Sequence, residues 1–452
     1  MGLSNSRGLP ALLLHIGLDD TDSPSGGCTT YIAARLVERL LALGGRFIDY
    51  PNLLRLNPNV PWKTRGNGAI CLRLDIDPRN EVQVKRVVIE LVEAYSEFDC
   101  ANTNPGAVFL VGDVPDSLIK FSKRVVTSVV SLEDAFRLID ETGAFALGYK
   151  NMRGIIGSLA AVGGLRHGDH TFEFLAYREL ESCGTLRVVD ADSVRMMDEE
   201  TRGSTFNNLD PETGRVLIAP HGPDPVLFGV RGESPEAVYR AGLMVSSESI
   251  ERWTIFRTNQ GTDAHLQIHD CLSELEPYSP ATVHGEVVEV PQTIQGGHVV
   301  FSLEDDTAVI DCAAYEPSGS FRDTVRSLIP GDEVTVSGGV RGNPVGWRLT
   351  LNLEKLEVRE LTRDVRLVNP VCPNCEGGME SMGRGKGFRC RRCGFRDGEL
   401  EKRRIEMERT LTSGLYLPPP RAQRHLTKPL QRYGKEKHGP IERGIVELWH
   451  WP

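Results

Sequence analysis

Apolar positions recur along the first hundred residues in two rhythms. The run Ala11–Leu18 reads as a buried strand. After it Ile32, Leu36, Val37, Leu40 and Leu41 fall at helical spacing until Gly44-Gly45 ends the helix. A loop rich in Pro, Asn and Gly then feeds an alternating strand over Ala69–Ile76, and Val84, Val87, Val88, Leu91, Val92 and Tyr95 mark a second amphipathic helix. Residues 131–142 predict a helix, 148–164 a glycine-punctuated loop entering a helix of small residues, and FEFLAYREL a returning strand. Another helix starts near Ser234-Pro235, with Ser as cap and Pro in the first turn. Strand and helix alternating at these lengths predict an α+β domain, ferredoxin-like in part.

Near Pro277 the rhythm changes. Five short strand candidates follow, separated by turn residues, with a helical stretch, Phe321–Leu328, between the third and fourth. That order predicts an OB-fold barrel, an architecture that often binds oligonucleotides; a barrel serving only as a spacer is the alternative. The stretch from residue 416 has a proline brake and then scattered basic residues without apolar rhythm, so it is expected to be extended and to gain order on a partner.

A length of 452 residues implies three or four units. No run approaches the ~18 apolar residues of a membrane span, and Leu9–Leu14 lacks a cleavage site, so the cytoplasm is the expected compartment. The net charge of −10 argues against general nucleic-acid affinity but is unevenly spread: Ser381–Lys437 holds 16 Lys/Arg against 6 Asp/Glu. A basic end on an acidic body points to an anionic partner there and a cationic ligand elsewhere. Six of the ten cysteines (Cys28, Cys71, Cys100, Cys183, Cys271 and Cys312) are scattered and read as small buried hydrophobes.

The other four form C-x2-C-x14-C-x2-C at Cys372, Cys375, Cys390 and Cys393, which suits a structural tetrahedral zinc with no open position. Between the knuckles, Arg384, Lys386, Phe388 and Arg389, followed by Arg391 and Arg392, offer phosphate neutralisation and a stacking ring for single-stranded RNA. Near the N-terminus, Asp19, Asp20 and Asp22 present hard oxygens suited to Mg²⁺, and Thr29 and Thr30 open a helix whose N–H groups favour an anion. The loop is no ordinary P-loop, since G-x-x-x-x-G-K-[ST] is missing. Loop carboxylates are also common as turn and cap residues. Two further loops favour phosphate binding: KTRGNG brings Lys63, Arg65, Gly66, Asn67 and Gly68, and KNMRGIIG brings Lys150, Arg153, Gly154 and Gly157. Acidic metal loop and cationic glycine loops together make both halves of an ATP site.

The segments IGLDDTDSPSGGCTTYIA, RLNPNVPWKTRGNGA, TNPGAVF, RGIIGSLAAVG, LFGVRGES, QGGHVVFSLE, CAAYEPS, GRGKGFRCRRC and RHLTKPL occur in order from about residue 12 to about 430. In these segments the chain resembles the tRNA agmatidine synthetases, ATP-dependent enzymes that attach agmatine to the wobble cytidine of a minor isoleucine tRNA with a CAU anticodon. The resemblance implies a multidomain α+β protein. A kinase-like α/β domain (1–70 and 140–200) would interweave with a ferredoxin-like domain (71–139 and 201–270). An OB-fold (275–362), a four-cysteine zinc ribbon (365–415) and a basic tail (416–452) would follow. It also implies that Thr29 is phosphorylated, that Asp19, Asp20 and Asp22 bind metal and assist phosphoryl transfer, and that ATP, Mg²⁺, Zn²⁺, tRNA and agmatine are the ligands. No role is assigned to the leader before Leu12 or to the extension after about Arg432. Two rivals stand beside this reading: a metal-dependent phosphoesterase using the aspartates, and a non-catalytic RNA-binding protein using the barrel and ribbon.

Overall fold

A computed structural model describes residues 10–64, 66–342, 348–441 and 444–451. The apolar run becomes β1 (Leu12–Asp19), the strand on which the site is hung. Both of its faces are covered, so that even its His15 is fully buried. Leu14, Ile16 and Leu18 meet α1 (Thr29–Ala42) and α2 (Glu81–Tyr95) in one core. The opposite face is covered by α3 (Asp116–Thr127), α4 (Leu132–Thr142) and α5 (Gly154–Gly163) in another. Ser131 caps α4, its hydroxyl accepting from the Asp134 N–H.

With β1, the chain supplies β2 (Arg46–Phe47), β3 (Asn52–Arg55), β4 (Gly68–Ile76), β5 (Gly106–Val111), β6 (Phe145–Gly148), β7 (Thr171–Tyr177), β8 (Thr205–Phe206), β9 (Val226–Gly232) and β10 (Arg252–Thr258) to a single sheet. Its order is β6-β5-β1-β4-β3-β10-β7-β9-β8, with β2 beside β4. The two halves join through a short parallel pairing, Arg257 opposite Asn52 and Thr258 opposite Leu53. Because β4 and β5 both ladder antiparallel with β1, residues 71–139 share a sheet half and its cores with residues 12–64. The expected interweaving, which parted them, differs from this pairing. The second half carries α6 (Ala191–Glu200) and α7 (Pro235–Met244), the latter capped by Ser234.

β11 (Gln267–Ile268), β12 (Pro280–Val287), β13 (Gln292–Thr293), β14 (Val299–Glu304), β15 (Val309–Ala314), β16 (Glu333–Arg341) and β17 (Thr350–Glu360) form the second sheet. Five of these close as β12-β16-β17-β15-β14, because β12 also pairs with β14. With α8 (Phe321–Arg326) between β15 and β16, this is the OB-fold barrel read from the sequence. The zinc ribbon hangs from a two-stranded ladder, β18 (Asp364–Val368) with β22 (Arg403–Met407), and holds β19 (Met379–Ser381), β20 (Phe388–Cys390) and β21 (Arg396–Asp397). β23 (Gly414–Tyr416) returns to pair with β17.

The tail departs from expectation. It is built into the body, not left waiting for a partner. Arg432 is fully buried, gripped by Asp169 at 3.0 Å and Glu233 at 2.7 Å. Trp449 packs on Phe47 and Tyr50, and β24 (His450–Trp451) adds to β10. Its cations are drawn in by half-buried carboxylates, a compensation that an apolar periodicity cannot reveal. No helix among the described residues is long and apolar enough to cross a membrane.

Candidate functional site

β1 stops at Asp19, and the chain turns at Asp20 through a left-handed φ of +57°. Ser23 and Gly26 then close a tight turn, with the Ser23 N–H donating to the Gly26 carbonyl at 2.8 Å. The loop comes back to Cys28, the N-cap of α1, whose side chain makes no capping bond. Thr29 is therefore the first helical residue. Its hydroxyl lies 2.9 Å from that of Thr21, and the N–H groups of the first α1 turn lack intrahelical acceptors.

On the other side α5 delivers Arg153 and Gly157. Arg73, fully buried in β4, holds the far end of α5 by donating to the carbonyls of Ala161, Val162 and Gly164. At the near end a Cβ on residue 157 would stand 1.9 Å from Asp19 Oδ2, so only glycine lets α5 approach this carboxylate. Arg153 reaches Asp20 Oδ2 at 3.1 Å, and Asn104 lies 3.5 Å from the same oxygen. Thr64 donates to Asp22 Oδ1 at 3.3 Å, while Thr103 holds the Asp22 carbonyl at 2.7 Å. Burial, and next the charge of Asp20, hold Asp19 well above the ordinary carboxylate range. Asp20 is raised too, by burial, with Arg153 pulling the other way.

These groups line a cavity of about 390 Å³. Of the predicted nucleotide residues, Lys63, Gly66, Asn67, Gly68, Arg153 and Gly157 border it. Arg65 lies outside the described residues, as do residues 1–9 of the leader. Lys150 and Gly154 depart from expectation. The Lys150 ammonium fastens a loop by donating to the carbonyls of Phe98 and Cys100. Gly154 permits close packing: a Cβ there would be 2.5 Å from the Asn104 carbonyl oxygen. Lysine and arginine beside glycine suggest a phosphate loop in sequence, but do not say which way a side chain turns.

The cavity continues to a wall that the sequence reading missed, formed by Glu173, Leu175, Leu217, Ile218, Asp224 and Arg231. Glu173 is 3% exposed and receives Arg231 at 3.1 Å and the Gln260 amide. A signal for it did exist: one carboxylate inside TFEFLAY, a strand otherwise without charge, must have partners or a ligand. Arg55, from β3, and His425, from the tail, also face the cavity and were likewise not singled out.

In the ribbon, the four Cys Sγ atoms lie within 4.8 Å of one another, with Cys372–Cys393 at 3.6 Å and Cys375–Cys390 at 3.4 Å. A tetrahedral ion with Zn–S bonds of ~2.3 Å places its sulfurs ~3.8 Å apart, so the set fits zinc. Arg384, Lys386, Arg389, Arg391 and Arg392 are exposed, the third and fourth gathered around Glu380. Phe388 corrects the expectation of a stacking ring. It is buried against Cys372, Met379 and Cys390, because so small a module needs an aromatic for its own core.

A two-halved sheet that holds the cavity, joined to an OB barrel and a four-cysteine ribbon, defines a multidomain α+β protein. Family models divide the chain accordingly: TiaS TCKD domain over 15–151, TiaS FLD domain over 152–265, OB-fold nucleic acid binding domain over 281–359 and TiaS C-terminal zinc ribbon domain over 369–411. The isoleucine-tRNA 2-agmatinylcytidine synthetase TiaS of Methanosarcina mazei is 43% identical over 92% of this chain and 97% of its own. A crystal structure of TiaS in complex with its isoleucine tRNA and ATP matches with a TM-score of 0.85 at 40% identity, covering 93% of this chain and 97% of that one. The complex of TiaS with the same tRNA, AMPCPP and agmatine matches at 0.82 and 38%, with the same coverage. The chain belongs to the TiaS family of isoleucine-tRNA 2-agmatinylcytidine synthetases.

Proposed function

We propose that this chain is an ATP-dependent ligase that joins agmatine to C2 of the wobble cytidine in a minor isoleucine tRNA with a CAU anticodon. The observation that carries this reading is a cavity in which a crowded aspartate loop and a helix N-terminus share space with buried carboxylates in an apolar wall. One part suits a metal-bound triphosphate. The other suits a cation on a short hydrocarbon chain, with Glu173 and Asp224 for charge and Leu175, Leu217 and Ile218 for the methylenes.

In this reading Asp19, Asp20 and Asp22 hold Mg²⁺, while Lys63, the Gly66–Gly68 backbone and Arg153 receive phosphates. The metal, when bound, neutralises phosphate charge. Thr29 takes a phosphoryl group at the start of α1, where backbone N–H donors meet it. The cytosine 2-oxo group leaves poorly by itself, so its oxygen takes a phosphoryl group from ATP while the rest of the nucleotide leaves with the electrons of the broken P–O bond. The agmatine amine then bonds to C2 and gives up a proton to solvent, the C2–O bond breaks, and phosphate departs with the electron pair. A base in its stack cannot reach such a cavity and must be flipped out. The cytoplasm, where charged tRNA substrates and ATP meet, fits this chemistry.

The test is ATP consumption by the purified protein with and without agmatine and tRNA transcript. Turnover requiring both agrees with this reading. Phosphate release from esters without agmatine belongs to a phosphoesterase, and tRNA binding without turnover to an RNA-binding protein.

The ribbon's exposed cations support a role for it at the anticodon end of the tRNA. Because the tail is needed by the body, the ribbon has to be excised and not truncated: residues 369–402 are replaced by a two-residue turn joining Val368 to Arg403, which face each other in the β18–β22 ladder. Affinity for tRNA is expected to fall and its salt slope to flatten, since lost phosphate contacts no longer release counterions, while MgATP affinity stays unchanged. Filter binding across a salt series checks this. An unaltered slope removes the ribbon from tRNA binding.

A further inference from the structure

Arg55 stands at the end of β3 with its guanidinium in the cavity. Among the described residues that guanidinium makes no hydrogen bond and no ion pair, and its Nε is enclosed without a partner. Its principal attraction is to Glu173, whose oxygens already receive Arg231 and Gln260. A cation drawn partly out of water and left uncompensated is costly, so its retention calls for an anion that arrives from outside.

His425 sits beside it. A Cβ on Gly66 would stand 2.6 Å from Arg55 Nη1 and 3.4 Å from His425 Nε2, so both groups border the space that a side chain at 66 would take. His425 Nδ1 is also enclosed without a partner among the described residues. The charge of Arg55, and next burial, keep the imidazole neutral by pushing its pKa well down. The ring is fixed in place by its neighbours. Gly261 N–H donates to the His425 carbonyl and Asp263 N–H to that of Leu426, each at 2.8 Å. Arg424 is tied to Glu354 at 2.9 Å and to the Pro58 carbonyl at 3.1 Å. Arg55, Lys63, Gly66, Arg424 and His425 also line an adjoining cavity of about 260 Å³, bordered by no carboxylate among the described residues. The Lys63 pKa is lowered by burial and then by the neighbouring cations Arg424 and Arg341.

We infer that Arg55 and His425 form a prebuilt oxyanion corner that receives a phosphate brought in by a substrate, through the guanidinium and one imidazole N–H. The shared chemistry is a phosphate oxyanion, supplied either by the nucleotide or by the RNA backbone next to the extruded base. The identity of those two substrates rests on the proposed function.

The variants are Arg55→Gln, Arg55→Lys and His425→Gln in the full, zinc-loaded chain. MgATP affinity is measured without tRNA, and affinity for tRNA transcript is measured without ATP across a salt series. Arg55→Gln is expected to weaken one of the two by ~10-fold or more, with Arg55→Lys recovering part of the loss and His425→Gln weakening the same arm. Loss in the MgATP arm assigns the corner to the nucleotide. Loss in the tRNA arm, with a salt slope smaller by about one, assigns it to an RNA phosphate. Since the Arg55 guanidinium has no bond to lose, the melting temperature of Arg55→Gln should equal or exceed that of the wild type. A clear fall in melting temperature, or both affinities unchanged, overturns the corner. A wild type that consumes no ATP with agmatine and tRNA overturns the proposed function, while the two binding arms still judge the corner.

Discussion

Asp19→Asn is expected to abolish agmatine-dependent turnover and, at the same time, to make the metal-free protein more stable. Asp19, Asp20 and Asp22 surround the place proposed for Mg²⁺, and parts of a phosphoryl-transfer site are worth ~10³-fold or more in rate. Asn at each of the three should suppress turnover on that scale; unchanged rates in all three would remove the loop from the mechanism. The stability effect follows from the raised pKa of Asp19. A carboxyl whose folded pKa is raised contributes fully below its unfolded pKa, and that contribution is lost as pH rises through the folded value. At neutral pH, then, the wild-type carboxylate is a burden that asparagine does not carry. A rise of roughly 1–3 °C in melting temperature is expected for Asp19→Asn, shrinking as pH falls and the wild-type carboxyl becomes neutral. A lower melting temperature at neutral pH would mean that Asp19 is held by bonds worth more than its burial costs.

Thr29 is expected to carry phosphate after incubation with ATP and Mg²⁺, and the side chain at 29 should decide activity by its hydroxyl. The competing explanation, a capping threonine, is weakened by the geometry: Cys28 is the N-cap, and the Thr29 hydroxyl meets Thr21 instead of a free N–H. Thr29→Ser should retain most of the turnover, while Thr29→Asn and Thr29→Ala lose ~10²-fold or more, the loss expected when a transferring group has nowhere to go. If Thr29→Asn matches Thr29→Ser, the hydroxyl is not an acceptor. Mass spectrometry of the wild type gives the direct answer, and phosphate found on Thr30 alone, or on neither residue, refutes the assignment.

Much of this architecture was legible from residue patterns because the relevant forces are local or periodic. The α1 and α2 stripes, the five barrel strands and the paired Cys-x2-Cys knuckles each repeat at a spacing set by backbone geometry. The acidic loop was legible only in company: three carboxylates between a strand and a helix are common in turns, and the cationic glycine loops gave them a use. Arg55 was not, since a strand pattern records only which face is apolar and not where an end residue turns; Glu173 stood out only as the lone charge of its strand. Phe388 misled for the opposite reason: a ring among cations looks like a stacking platform, yet the ribbon has few other residues for its interior. The tail was the largest omission. Arg432 and Lys437 look like solvated polar residues in one dimension, and their carboxylate and carbonyl partners in Glu233 lie 199 and 204 positions earlier.

That separation governs how the molecule comes into being. The Val446 N–H donates to the Tyr50 hydroxyl across 396 positions, and β24 closes onto β10. On the ribosome, the sheet that carries the aspartates is made first, but it lacks the β24 pairing, the Trp449 side chain and the His425 wall until the barrel and ribbon have emerged. Interrupted translation therefore yields a product with the aspartate loop and no finished chamber around it.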